Sequence, residues 1–336
     1  MPRISLCFII AILAVSKAQA TPELFGTDEV LKISLSADFK RLEQERDKTA
    51  KYPGFLQIGD SKLKVNLGVR GNSRLRKDNC HFSPLKVNFK GKKKVRQTLF
   101  RGEGDLKLVV LCKGRKSYEK YLRTEFLIYK ALNLLTPLSY RVRWLDVTYS
   151  DSGGNAARNR PGFFVERKKN VAKRNNLKAA TSATQLVPEQ LDPAQAALLD
   201  LFQYAIANTD YSLIRGVAPG ECCHNAKLLG ETVYYPVIYD FDNSGLINAS
   251  YAFASASLPI KSVTRRLYRG YCRDRTTLEA ANNLILKNKQ AILDLFANDT
   301  VLAKAGKKRA ASFLGTSFDW LSNPKKFQRN IVSTCR

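Results

Sequence analysis

Three short segments in the second half of the chain carry the residue types that phosphoryl transfer needs: Asn208-Thr209-Asp210, His224-Asn225 and Asp240-Phe241-Asp242. Such a transfer calls for a carboxylate beside the acceptor hydroxyl and for oxygen ligands that hold magnesium on the donor phosphates. An Asp after a helix, an Asn on a later segment and an Asp ending an apolar strand supply those parts in that order. Asx-rich turns also serve as caps and loop braces, so spacing alone leaves both roles open. Asp240 stands apart, because four of the five residues before it are apolar or aromatic. A carboxylate at the end of a buried strand needs a partner or a metal. No Lys or Arg occurs between Lys227 and Lys261, which makes this stretch an acidic pocket inside a basic protein.

Composition removes several competing chemistries. The chain has 336 residues, 56 Lys+Arg against 29 Asp+Glu, a formal net charge of +27 and only two histidines, His81 and His224. A zinc protease of the HExxH type needs two imidazoles placed together, and neither that pattern nor a GxSxG elbow occurs. Walker A and GxGxxG loops are absent as well. From Ser61 to Glu125 there are 19 Lys+Arg and 5 Asp+Glu, including Lys92-Lys93-Lys94. Such a face is either a solvated basic surface or an attractor for polyanions such as nucleotide phosphates, nucleic acid or envelope polymers.

The elements that must position these residues divide the chain in two. A charged start, an apolar run from Leu6 to Val15 and Ala18-Gln19-Ala20 predict a signal peptide over residues 1–20, cleaved after Ala20, and export to the periplasm or medium. No later segment is long and apolar enough to span a bilayer. Residues 30–35, 54–58, 63–70 and 85–90 alternate like strands, and Tyr121 to Leu135 has helical spacing ended by Pro137. A basic, then Ala/Thr/Gln-rich stretch from 167 to about 195 reads as a boundary or crossing, giving a sheet-rich part over 21–166 and a second part over 167–336. Helices are predicted from Pro193 to Asn208 and from Thr276 to Asn298. Cys80, Cys112, Cys222, Cys223, Cys272 and Cys335 suggest three disulfides. Adjacent cysteines pair poorly, so Cys222 and Cys223 are expected to reach Cys272 and Cys335, with Cys80 joined to Cys112.

Several motifs resemble the CotH family of secreted atypical protein kinases. Arg70-Gly71-Asn72-Ser73-Arg74 is similar to its RGxS segment, and Ser83 to Lys90 to its basic strand. Asn208-Thr209-Asp210 and Tyr239-Asp240-Phe241-Asp242 resemble its NxD and YDxD segments. The similarity runs from about residue 30 to 300. It implies an α+β, bilobal protein-kinase-like fold, with a sheet-rich N-terminal lobe and a mainly helical C-terminal lobe. It further implies a magnesium- or manganese-dependent phosphotransferase using ATP or a similar donor on a hydroxyl acceptor, such as Ser or Thr of an exported protein, and the basic face is compatible with an acidic one. Asp210 would be the catalytic base or the acceptor-orienting residue, Asp240 the principal metal ligand and Asn225 the second. Lys86, with Lys90 as the alternative on the same strand face, would hold the donor phosphates in an ion pair with Glu125. Arg70 and Gly71 would approach the phosphates, Glu166 the adenine edge, and His224 would order its loop or sit in the core. A catalytically silent kinase-like binding module and a basic polyanion-binding envelope protein are the competing readings.

Overall fold

Alternating apolar residues in the first half build a barrel. The computed structural model describes residues 23–153, 157–181 and 184–336, so the signal-peptide expectation falls outside the described residues. Seven strands, β1 (Leu31–Ala37), β2 (Tyr52–Ile58), β3 (Ser61–Val69), β4 (Leu85–Phe89), β5 (Asp105–Val110), β6 (Val142–Asp151) and β7 (Arg158–Val165), form a closed sheet in the order β1-β2-β3-β4-β5-β7-β6. Inward-facing Ile33, Leu35, Leu56, Leu63, Val65, Leu67, Val87, Leu106, Leu108, Leu145, Val147 and Phe164 fill its interior. β2 and β3 alternate buried and exposed positions because their outer face meets water. The apolar runs Leu108-Val109-Val110 and Phe163-Phe164-Val165 are continuous because both faces there are covered. Gly162 pairs with Val110 where β7 runs antiparallel to β5, and a Cβ there would come within 2.9 Å of the Val109 carbonyl.

Closure of this sheet corrects the expected bilobal protein-kinase-like fold. β1 runs parallel to β6 from Leu31 beside Leu145 to Ala37 beside Asp151, joining the first strand to the last hairpin and leaving no open edge. The architecture is a closed seven-stranded barrel with helices, in a mixed α/β arrangement. Strand periodicity identifies strands but not partners more than a hundred residues apart, which is why the sequence did not reveal the closure.

The helices are α1 (Phe39–Glu45), α2 (Lys92–Val95), α3 (Lys116–Leu135), α4 (Lys168–Arg174), α5 (Pro193–Ala205), α6 (Arg275–Lys287), α7 (Lys289–Ala297), α8 (Lys304–Ser322) and α9 (Pro324–Asn330), with a short hairpin of β8 (Ala226–Leu229) and β9 (Tyr235–Ile238). A second core starts on the outer wall of the barrel with Val109, Trp144, Phe163 and Val165. It continues through α3 into α5, α6, α7 and α8, drawing on residues either side of position 166. Arg123 locks α3 to the α7–α8 connection through a 2.6 Å ion pair with buried Asp299, while its guanidinium lies against Phe126 and Trp144.

Three cysteine pairs lie at disulfide distance, in keeping with an oxidising compartment. Cys80 joins Cys112 as expected, but Cys272 joins Cys335 and Cys222 joins Cys223, correcting the expected exchange between those two sets. The C-terminal tail is the cause: Arg336 N–H donates to Gly270 O at 3.1 Å and Cys272 N–H to Arg336 O at 3.0 Å, which lays Cys335 beside Cys272. Among the described residues no helix is long and apolar enough to cross a membrane.

Candidate active site

α5 aims the first of the three motifs. Its last turn runs into buried Asn208, whose amide donates to Gln203 Oε1 at 3.1 Å and whose Oδ1 accepts the Asp210 N–H at 3.1 Å. The Leu246 and Gly245 N–H groups brace the same turn on Ile206 O and Ala207 O, and the Arg269 guanidinium donates to the carbonyls of Thr209 and Tyr211. The anchors are backbone groups, buried Asn208 and Gln203 and half-buried Arg269, so the Asp210 carboxylate projects from a rigid support while remaining 38% exposed.

The chain then leaves and doubles back. Ser212 and His224 exchange backbone hydrogen bonds at 3.0 and 3.1 Å, which returns the second motif to the first despite the long stretch between them. His224 Nε2 lies 2.7 Å from Asp210 Oδ1, and Asn225 Nδ2 donates to the Asp210 backbone carbonyl at 2.7 Å and to Oδ2 at 3.2 Å. The hydrogen bond to Asp210 raises the His224 imidazole above its ordinary value, against the opposing effect of burial. Asn225 is thus held to Asp210 by its amide nitrogen, and its side-chain oxygen accepts no hydrogen bond among the described residues.

Asp240 follows β9 in the left-handed region at φ 66°, with its N–H donated to Tyr129 Oη of α3 at 3.0 Å. Beneath it lies a buried ionic network centred on Arg74. That guanidinium reaches Asp242 at 2.6 Å, Glu125 at 3.2 Å and Asp240 at 3.6 Å. Three carboxylates on one guanidinium leave an excess of negative charge. Burial and the neighbouring carboxylates raise Glu125 and Asp242 above the usual carboxylate range, while Arg74 pulls the other way.

The expected Lys86–Glu125 pair does not form. Glu125 is buried on α3 and takes Arg74 as its partner, whereas Lys86 is 48% exposed and pairs with Asp105 at 3.2 Å. Lys90 is exposed too, and neither lysine lines a cavity near the motifs. The lysine that does is Lys107 on β5, opposite Lys86 in the ladder. Its ammonium sits 4.2 Å from the Tyr239 ring centroid and 5.9 Å from that of Tyr140, and it pairs with no carboxylate among the described residues. Burial, with Arg70 close by, pushes it down to about 7. The sequence signal for it was a lone Lys between Leu106 and Leu108 on a buried strand; for Arg74 it was a second arginine following the Gly71 turn.

Two adjoining cavities share Lys107. The smaller, about 40 Å³, is lined by Arg70, Gly71, Arg74, Glu125 and Asp240; the larger, about 340 Å³, by Tyr140, Glu166, Lys168, Lys227 and the Cys222–Cys223 pair. Arg70 and Gly71 therefore stand at the same opening as Asp240. Asp210, His224 and Asn225 line neither cavity; the Tyr239 N–H, donated to the Asn225 carbonyl at 3.0 Å, ties their cluster to the segment that carries Asp240. Glu166 is fully buried and committed to Arg141 at 3.3 Å and Arg174 at 3.1 Å, so it forms part of the wall. Among the described residues no group of three or more His, Cys, Asp or Glu is arranged to hold a metal unaided. No family model and no curated protein matches the chain.

Proposed function

We propose that the chain is a divalent-metal-dependent phosphotransferase that moves a terminal phosphoryl group from a polyanionic donor, ATP or a similar compound, to a hydroxyl. The observation that carries this reading is the opposition of two charge patterns at one opening. Arg70 and Lys107 are cations without a carboxylate partner among the described residues, and they face Asp240 above a network with surplus negative charge. Phosphates fit the cations and a divalent cation fits the acids. The motif resemblance to the CotH family supports the same chemistry.

Magnesium or manganese fits the residues present. The Asp240 carboxylate is 39% exposed with its nearest cation among the described residues at 3.6 Å, and the Asn225 side-chain oxygen accepts no hydrogen bond among the described residues. These are hard oxygen donors, two in number, as suits an ion that keeps waters and takes its other ligands from donor phosphates. Bound there, the metal would neutralise charge on those phosphates. Lys107 and Arg70 hold and orient the donor. Asp210, fixed by His224 and Asn225, orients the acceptor hydroxyl and takes its proton as the new P–O bond forms and the bond to the leaving phosphate breaks. An exported, acidic protein with an exposed Ser or Thr matches the basic surroundings as acceptor.

Thermal unfolding of the oxidised protein with magnesium and ATP, beside Asp240→Ala, tests the reading. A donor at a hundredfold excess over its Kd stabilises the folded state by about 2.7 kcal/mol. That shift is expected in the parent protein only with metal and is expected to vanish in the variant. Undiminished phosphoryl transfer by an Asp210→Asn, Asp240→Asn double variant overturns the assignment.

A further inference from the structure

The larger cavity holds more positive charge than its own walls neutralise. Lys107, Arg167, Lys168, Lys169 and Lys227 line it, against two acids, Asp105 and Glu166. Both acids are already engaged: Asp105 with Lys86 and Arg167, each at 3.2 Å, and Glu166 with Arg141 and Arg174. Lys168 donates to the Ala180 carbonyl at 2.5 Å, and Lys107, Lys169 and Lys227 pair with no carboxylate among the described residues. Like charges facing one another across a cleft oppose folding, and an anionic occupant relieves that repulsion.

The cations also have an order. Arg70 and Lys107 share the smaller cavity with Asp240; Lys107 and Lys227 share the larger one, and α4 brings Lys168 and Lys169 to it. Lys107 is thus the shared member, with Arg70 and Asp240 on one side of it and Lys227, Lys168 and Lys169 on the other. Positive charge therefore runs as a row from the opening beside Asp240 to the α4 side of the cavity. A nucleoside triphosphate concentrates its charge at one end and presents an uncharged base at the other. A row of cations instead matches an anion charged along its whole length.

We propose that this groove seats a linear inorganic oligophosphate, with its terminal phosphate between Arg70, Lys107 and Asp240 and its body along Lys227, Lys168 and Lys169. As a donor it rests on the phosphotransferase reading. The acceptor oxygen bonds to the terminal phosphorus, the terminal P–O–P bond breaks, the hydroxyl proton passes to Asp210, and the chain departs one phosphate shorter.

Calorimetric titration of the whole oxidised protein with inorganic triphosphate, a longer polyphosphate and ATP, at one ionic strength with magnesium, decides the matter. Affinity is expected to rise with chain length and to exceed that for ATP by about tenfold, a difference of about 1.4 kcal/mol. A Lys168→Ala, Lys227→Ala double variant, with its melting temperature checked against the parent, is expected to lose that advantage while keeping the weaker affinity for ATP. ATP binding as tightly as triphosphate, or a double variant that binds polyphosphate undiminished, overturns the proposal. If ATP binds in an Asp240-dependent manner and oligophosphates do not, the groove assignment fails and the phosphotransferase reading stands. If oligophosphate binds along the lysine row but no transfer occurs with any donor, the seat stands and the phosphotransferase reading fails.

Discussion

Arg74 holds more of this site together than any residue the motifs single out for catalysis. It is 11% exposed and supports Glu125, Asp240 and Asp242 from two different parts of the chain. Removing one partner of a buried ion pair strands the others without compensation, so Arg74→Met is expected to cost about 3–5 kcal/mol in urea unfolding. A loss below about 1 kcal/mol, the scale of a surface pair, would contradict this placement. Glu125→Gln is the milder change, since burial already favours its neutral form. With its folded value raised, Glu125 contributes stability that is full below its ordinary value of 4.5 and is lost as pH rises toward neutrality. The Gln variant is expected to flatten that decline in a pH series of unfolding curves. Lys107 shifts the opposite way. Because its ammonium is depressed to about 7, the free protein loses the charge that an anion needs as pH climbs past neutrality. Triphosphate affinity is therefore expected to fall between pH 7 and 9 in the parent protein and to stay level in Lys107→Arg; equal slopes would remove Lys107 from the donor site. Sequence reading reached Asp210, Asn225 and Asp240 through residue type and order. It named Lys86, with Lys90 as the alternative, and passed over Lys107, because a strand pattern does not show which lysine the folded sheet sets beside Tyr239.

At the scale of elements, α5 decides where Asp210 points. Asp192 caps it, accepting the Gln195 N–H at 2.8 Å, and Pro193 occupies its first turn. Helical spacing predicted this element nearly to its end, and the three residues past Ala205 form the Asn208 turn. Asp192→Ala is expected to cost about 1 kcal/mol of stability. Because Asn208 and Arg269 still anchor the turn, nucleotide-dependent stabilisation is expected to keep its size; its loss would show that the helix start, rather than the turn, fixes the site. The predicted helix over Thr276–Asn298 is two, divided at Asn288, where Asn288 ends α6 and begins α7. The unbroken apolar pattern concealed that division because both helices turn apolar residues to one shared core, α6 chiefly against α5 and α7 against α8 and α3. Nor did spacing reveal the excursion from Asp210 to Asn225. Its return rests on an isolated backbone bridge at Ser212 and His224 and on the Asn225 amide donated to the Asp210 carbonyl, and such contacts leave no periodic trace.

For the whole molecule the governing quantity is its charge of +27. Composition made it plain and the sequence showed its concentration between Ser61 and Glu125, yet which lysines gather at one cavity followed only from the fold. The barrel spreads many of its lysines over an outer face in water, while the groove gathers Lys107, Lys168, Lys169 and Lys227 around one cavity. A protein this far from neutrality repels itself when compact, and that repulsion is long-ranged at low salt. Between about 0.01 M and about 0.15 M salt the screening length falls from about 30 Å to about 8 Å, less than the span of the molecule. The melting temperature is therefore expected to rise over that range in sodium chloride. Screening acts on every lysine alike, whereas an anion seated in the groove acts on four. At matched ionic strength, triphosphate is expected to raise the melting temperature beyond chloride, and a Lys168→Ala, Lys227→Ala variant to respond to the two salts equally. If the parent protein shows the same dependence on ionic strength with either anion, its positive charge is a solvated surface rather than a site.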